Sequence, residues 1–547
     1  MDLTPAAVTL LEERYLLPQE TPYELFCRVA GAVGTPRSQE FLRVMKDLLF
    51  VPNSPTLMNA GTATGQLSAC YVLPVEDSLQ GIFSSLSTMA LIHQSGGGTG
   101  FSFSRLRPSG DRVSSTCGAA SGPLPFIRVF DEATTAVKQG GKRRGANMAV
   151  LASSHPDIID FIRAKMQGGL KNFNFSVGFD AGFFRCLEHN LPYDLVNPRT
   201  GSVQESIDPG KLWHALGSAA WQCGDPGALF LDTINEKNTV PGLGSIETTN
   251  PCGEQPLLPY ESCNLGSVNL SRCIRKGELD EERVQTVTSL GVRFLDAVID
   301  INRFPVPIIR KKTLETRKIG LGIMGLADAL ILMGIPYESG DALRFADRTM
   351  ALIARKARET SRELGEEKGS FPAIGKSVFT GAMRNATVTT IAPTGSLHII
   401  AGTSSGIEPL FSLAGTRQTG NRTVTLIHPL LKKYLLTISP GRDILTLVRR
   451  TGSLATAPVP DGVKELFRTA MEISPEHHVR MQATVQKHVD NAVSKTVNLP
   501  EDAGTDEICR IFMLARSLGC KGITVYRYNS RRDQVLSRGC ETCRVDL

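Results

Sequence analysis

The run Asn250-Pro251-Cys252-Gly253-Glu254 sets an amide, a thiol and a carboxylate at alternate positions, with Pro251 and Gly253 as spacers. A tight loop built on those spacers can aim all three side chains into one small volume. A second thiol, Cys263, follows in Ser262-Cys263-Asn264-Leu265. A carboxylate beside a thiol raises the thiol pKa and works against thiolate nucleophilicity. That argues against a nucleophilic Cys-His enzyme and leaves metal binding, redox chemistry or sulfur-radical chemistry. The competing reading is a buried cysteine in a Pro/Gly turn, because an unreactive Cys behaves as a small core hydrophobe.

Four other stretches carry chemistry. Ser95-Gly96-Gly97-Gly98-Thr99-Gly100-Phe101 does not fit the dinucleotide fingerprint, so it reads either as backbone that a ligand approaches closely or as a flexible turn. Lys138-Gln139-Gly140-Gly141-Lys142-Arg143-Arg144-Gly145 sets four cations among glycines, as a solvated basic loop or as one that meets nucleotide phosphates. Ile391-Ala392-Pro393-Thr394-Gly395-Ser396-Leu397 has the order strand, turn, helix start, in which backbone N–H groups and hydroxyls form a phosphate site or an ordinary capped turn. Cys540-Glu541-Thr542-Cys543 lacks a second pair of metal ligands nearby, so a dithiol shuttle is favoured over half a zinc site, and no metal is expected.

These residues need a scaffold. Residues 1–50 show helical spacings and form a predicted N-terminal helical cap. After Val51 the texture changes to short apolar runs punctuated by Pro, Asn, Ser and Gly. Leu67 to Pro74 is a predicted strand carrying Cys70, and Ile523 to Tyr528 a predicted last strand. Phe126–Val137, Glu281–Phe304 and Thr349–Gly365 are predicted helices. A chain of 547 residues with 41% hydrophobic and 21% charged residues reads as soluble and globular. A net charge of +6 suits an anionic small ligand and gives no reason to invoke nucleic acid. No apolar run suits a membrane span and no signal peptide is evident, so a cytoplasmic location is expected. In that compartment the 12 cysteines are read as catalytic or redox groups rather than a disulfide framework.

Taken together the segments resemble the ribonucleotide reductases, and most closely the adenosylcobalamin-dependent class II enzymes. The resemblance rests on Asn53-Ser54-Pro55-Thr56, the Cys70 strand, the Gly98 turn with Arg105-Leu106-Arg107-Pro108, Asn250 to Glu254, Cys263-Asn264-Leu265, Pro393 to Ser396 and the closing Cys540/Cys543 pair. It implies a ten-stranded α/β barrel over residues 51–528 with a central finger loop, and a flexible redox tail at 529–547. Cys252 would become a thiyl radical and abstract the substrate 3′ hydrogen. Asn250 and Glu254 would hold the ribose hydroxyls, Glu254 acting as base. Cys70 and Cys263 would supply two electrons by closing a disulfide, which Cys540 and Cys543 would reduce in turn, recycled by a thioredoxin-like protein.

Further expectations follow from the resemblance. Ser54, Ala69, Gly98, Pro393, Thr394, Gly395, Ser396 and Leu397 would cradle a ribonucleoside di- or triphosphate. Asp77 and Arg107, with Lys142 and Arg143, would serve a deoxynucleoside triphosphate effector at a homodimer interface. The run Val525-Tyr526-Arg527 lacks the paired tyrosines of class I large subunits, and no glycyl-radical segment occurs, which leaves adenosylcobalamin as the radical source. The alternatives are a class I large subunit and a nucleotide-binding protein without catalysis.

Overall fold

The computed structural model describes residues 3–34, 36–113, 118–137, 145–419, 422–438 and 441–530. Lys142, Arg143, Cys540 and Cys543 lie outside them. Three helices open the chain: α1 (Pro5–Arg14), α2 (Pro22–Val33) and α3 (Ser38–Lys46). Thr21 and Glu24 form a reciprocal capping box on α2, with Pro22 in the first turn where its missing N–H costs nothing. A short α4 (Ser54–Asn59) follows, capped by the Asn53 side chain.

The rest of the described chain is organised around a barrel. Its first half is five parallel strands: β1 (Cys70–Pro74), β2 (Gly98–Ser102), β3 (Asn147–Ala152), β4 (Phe173–Phe179) and β5 (Gly227–Phe230). Its second half is β6 (Ser262–Asn269), β7 (Ile319–Met324), an extended β8 (387–391), β9 (Thr496–Leu499) and β10 (Gly522–Arg527), again mutually parallel. The halves meet antiparallel at β1·β6 and at β5·β10. Closure runs through β8: Leu321 bridges Thr389, and Ile391 bridges Val493 just before β9. Sequence alone suggested the final strand, the β1 strand and the β-branched β8 run; the antiparallel joins come only from the structure.

Helices clad the ring. Ser78 caps α5 (Leu79–Gln94), which packs on α6 (Pro123–Val137). Asp280 caps α7 (Glu281–Ile301), which stops short of the predicted Phe304 because Pro305 disfavours helical backbone at its predecessor. α8 (Gly340–Lys368) is longer than the predicted Thr349–Gly365, since Ser339 caps it ten residues before Thr349. The last short helix to bear on the site is α9 (Leu397–Ala401). One apolar cluster joins the cap to α7, α8 and the second half-barrel, and another, rich in Phe, fills the space between the first half-barrel and its helices.

Candidate active site

The arms of a hairpin, Thr248–Thr249 and Pro256–Leu257, carry residues 250–255 at their tip. The tip is fastened to both halves of the barrel. Thr248 Oγ1 donates to Phe101 O at 3.2 Å, and Asn174 Nδ2 of β4 donates to Pro251 O at 2.8 Å. From the second half, Ala492 N and Thr390 Oγ1 donate to Glu254 O at 2.9 and 3.0 Å. Gly100 makes the fit possible: a Cβ there would lie 1.7 Å from Thr249 O. The glycine-rich stretch therefore marks a close approach, but by the protein's own finger loop.

At the tip the three predicted side chains separate into two environments. Cys252 is exposed, and the next residue, Gly253, takes a left-handed φ of +83° with open space where a side chain would stand. Asn250 and Glu254 are both 2% exposed and turn toward Cys70. Asn250 Nδ2 donates to the Cys70 sulfur at 3.1 Å, and the Cys70 thiol donates to Glu254 Oε1 at 3.8 Å. Asn250 Oδ1 accepts from Gln255 N at 2.9 Å, which fixes the amide's orientation.

Cys263 stands directly opposite Cys70 across the β1·β6 ladder. Directly opposed residues in an antiparallel pair have Cβ atoms about 4.5–5.5 Å apart, so a small shift brings them to disulfide geometry. Both thiols belong to a compact apolar cluster with Val72, Leu257, Leu265 and Ala392 inside the barrel. Burial pushes the Cys263 thiol well above its ordinary pKa; Lys318 opposes this, while Glu254 and Glu261 add to it. Cys263 is thus a protonated thiol at neutral pH.

The predicted substrate cradle borders this cluster. Ala69 N donates to Cys263 O at 3.1 Å and Gly98 N donates to Ala69 O at 2.8 Å, while a Cβ on Gly98 would meet Pro251 Cγ at 3.0 Å. Ala392, inside the cluster, leads straight into Pro393, Thr394, Gly395, Ser396 and Leu397. Thr394 is held at φ +49°, and its hydroxyl accepts from Gly406 N at 2.9 Å. The predicted order of strand, turn and helix holds, although α9 has only five residues and Ser396 makes no side-chain cap. Ser54, at the start of α4, is hydrogen-bonded at 2.8 Å to Tyr15 of the cap, which ties the helical layer to the cradle.

Asp77 and Arg107 come together elsewhere, 2.9 Å apart beside the start of α5. At the other end of α5 a buried polar chain ties the helix to the barrel and to α6: His93 to Thr99 at 3.0 Å, Thr99 to Asn147 at 2.6 Å, and Asn147 to Thr134 of α6 at 2.8 Å. Sequence reading missed Asn174, Thr390 and Ala492, which anchor the tip. No local pattern marks them, because their role exists only once distant strands close the ring. Arg527 of β10 lies 4.2 Å over the Trp221 ring and donates to Trp221 O and Glu501 O at 3.0 and 2.9 Å, a structural clamp.

A radical-generating cofactor fits this arrangement. Cys252 alone of the three site thiols is open to a group arriving from outside the barrel, and the bare Gly253 leaves room for it. No cluster of three or more His, Cys, Asp or Glu residues suited to a metal ion occurs among the described residues.

Comparison with known proteins agrees with this geometry. Residues 68–380 and 373–526 match the family described as ribonucleotide reductase, barrel domain, and residues 1–65 match its all-alpha domain. The chain is 49% identical over 560 residues to a vitamin B12-dependent ribonucleoside-diphosphate reductase of Mycobacterium tuberculosis, covering 98% of this chain and 81% of that protein. It is 50% identical over 522 residues to a protein of the same name from Thermoplasma acidophilum, covering 94% and 68%. A solved class Id ribonucleotide reductase alpha subunit from Actinobacillus ureae shares the fold at TM-score 0.79 and 22% identity, covering 96% of this chain and 97% of that one. With a thiol-bearing finger inside a ten-stranded ring and relatives this similar along nearly its whole length, the chain belongs to the vitamin B12-dependent ribonucleotide reductases.

Proposed function

We propose that the buried Cys70–Asn250–Glu254 contact, facing Cys263 and backed by the exposed Cys252, is the site where this enzyme reduces ribonucleotides to 2′-deoxyribonucleotides with adenosylcobalamin. The carrying observation is the division of the thiols: one open at the tip, two paired and buried. When bound, adenosylcobalamin supplies a one-electron oxidising equivalent at the Cys252 sulfur; Pro251, Cys252 and Gly253, with Asn174 beside them, would face it.

The chain's own residues account for the remaining chemistry. The oxidised Cys252 sulfur takes the 3′ hydrogen of the ribose and returns it at the end. Glu254, its backbone pinned by Thr390 and Ala492, accepts the 3′ hydroxyl proton. Asn250 holds a ribose hydroxyl. Cys70 gives a proton to the departing 2′ hydroxyl, which leaves as water. Two electrons then come from Cys70 and Cys263 as their sulfurs bond. The apolar shell keeps water away from the sugar while it is reactive.

The substrate class we favour is the ribonucleoside diphosphate, the class in the names of the relatives above. Ser54, Ala69, Gly98 and residues 393–397 would hold it. Cys540 and Cys543 would re-reduce the buried pair, with a thioredoxin-like protein as donor. A deoxynucleoside triphosphate effector would sit at Asp77 and Arg107 with Lys142 and Arg143, its identity relayed by the glycine loop at 140–148. The exposed Leu79, Phe83 and Leu91 of α5 with Val129 of α6 support a homodimer through this face. A cap at 1–50, a barrel at 51–528 and a redox tail at 529–547 complete the reading. No helix of the described residues is long and apolar enough to cross a membrane, and we place the enzyme in the cytoplasm.

The test is direct. The purified chain with adenosylcobalamin, a small dithiol and each ribonucleoside di- or triphosphate should form the matching deoxynucleotide, diphosphates being preferred. Formation only on adding a metal-bearing second protein would sink the reading.

A further inference from the structure

Behind the cysteine pair lies a charge pair that the chemistry above does not use. The parallel ladder sets Asn264 of β6 beside Ile319 of β7, so Lys318 occupies the register position next to Cys263. The Cys263 thiol donates to Lys318 O at 3.6 Å. Glu261 lies two residues before Cys263 in the same extended run, hence on the same face. Lys318 Nζ donates to Glu261 Oε2 at 2.7 Å, with both side chains 2% exposed.

The two partners are unequally satisfied. Glu261 also accepts from Leu258 N and from Thr316 Oγ1, each at 2.7 Å. An ammonium carries three donors, and among the described residues Glu261 is the acceptor the Lys318 ammonium meets. The groups facing Cys263 are Cys70 from β1, Glu254 from the finger, Glu261 from its own strand and Lys318 from β7. Burial and the two carboxylates oppose a negative charge on that sulfur, and Lys318 favours one.

We propose that Lys318 is a positioning residue for the redox step: it stabilises the thiolate that Cys263 becomes when the Cys70–Cys263 disulfide is reduced, with Glu261 setting how much of its charge Cys263 feels. This rests on the reading of Cys70 and Cys263 as the redox pair. A thiolate of a dithiol reductant attacks the Cys70 sulfur. A mixed disulfide forms as the Cys70–Cys263 bond breaks, and its electron pair leaves on Cys263, which then takes a proton from water. The second thiol of the reductant displaces Cys70, so two electrons have passed from dithiol to protein. A leaving sulfur of lower pKa departs faster. Lys318 therefore accelerates the step and Glu261 restrains it.

The opposed signs make the test. The full-length enzyme carrying Cys540→Ser and Cys543→Ser, so that the tail cannot take over the oxidation, is oxidised by one turnover without reductant; the disulfide is located by peptide mass mapping, its reduction by dithiothreitol is timed at pH 8, and alkylation of Cys263 in the reduced enzyme is timed from pH 7 to 10. Lys318→Met should slow reduction roughly fivefold and move the pH profile of Cys263 alkylation upward, while Glu261→Gln should speed reduction by a similar factor and move that profile down. Lys318→Arg, which keeps the charge, should restore most of the rate. Removing the lysine leaves Glu261 as an uncompensated buried charge. If Lys318→Met fails to fold for that reason, the Glu261→Gln and Lys318→Arg results decide. Slowing in both Glu261→Gln and Lys318→Met, or pH profiles that do not move, would overturn the proposal while leaving the redox pair standing. A mapped disulfide that excludes Cys70 or Cys263 would overturn the redox pair itself and the proposal with it.

Discussion

Cys252 and Glu254 are two residues apart, yet one is exposed and the other buried, and that split decides what each can do. A thiol and a carboxylate in one solvent-filled pocket would interfere, the acid holding the sulfur protonated. Here the buried carboxylate accepts from the Cys70 thiol while the Cys252 sulfur is exposed, a placement suited to hydrogen-atom chemistry that needs no thiolate. Cys252→Ser should abolish deoxynucleotide formation, because an O–H bond is too strong for the exchange, while nucleotide binding by equilibrium dialysis persists. A variant that keeps its rate would remove Cys252 from the reaction. Glu254→Gln keeps the shape but cannot accept a proton, so its kcat should fall by about 10²–10⁴ with KM little changed, the usual reach of a general base. A loss confined to KM would make Glu254 a binding group only.

The finger hairpin is the element on which the chemistry depends, and its docking is steric before it is polar. Gly100→Ala would drive a methyl into Thr249 O, so the hairpin must lift from the barrel. Turnover should fall more than a hundredfold while far-UV circular dichroism retains the barrel's signature. Normal activity in that variant would mean that the tip does not need this close approach. Asn174→Ala, which removes one hydrogen bond to Pro251 O, should cost the docking about 1 kcal/mol and leave measurable turnover. The thiol, amide and carboxylate of the tip were legible in sequence because they are contiguous, as were the β1 strand and the turn after β8, which have local periodicity and turn residues. The opposed Cys70–Cys263 pairing entered only through family resemblance, and Asn174, Thr390 and the Lys318–Glu261 pair had no local signal. A contact between segments 57 to 136 residues apart leaves no imprint on either one; only the closed ring creates it. The single hint at Lys318 was a charge placed at the mouth of the apolar run Ile319-Gly320-Leu321-Gly322.

For the whole molecule, the buried thiols predict how stability responds to alkali. Cys273 and Cys520 are pushed up to about 12, and Cys509 to about 11, chiefly by burial. Above pH ~9 the unfolded chain releases these protons and the folded chain keeps them, so stability falls as pH rises through the folded values. Lys521, brought down to about 8 by burial, acts oppositely until its unfolded pKa near 10.5 is passed. Urea midpoints should therefore change little between pH 8 and 10 and drop steeply beyond, and a flat profile to pH 12 would contradict this. Assembly supplies the last test. Leu79, Phe83 and Leu91 fall within about 120° of the α5 circumference, at 100° per residue, and are 66%, 49% and 43% exposed. Side chains that large on one face are costly to leave in water, and Val129 of the adjoining α6 extends the patch. If the proposed homodimer forms through this face, Phe83→Glu would bring two like charges together at its two-fold contact, so sedimentation should report a dimer for the parent and a monomer for the variant. Because Asp77 and Arg107 sit beside the start of α5, the monomer should also lack the change in substrate preference expected of the proposed deoxynucleoside triphosphate effector. A variant that stays dimeric would put the interface elsewhere, whereas a monomer with intact effector response would separate the effector site from it.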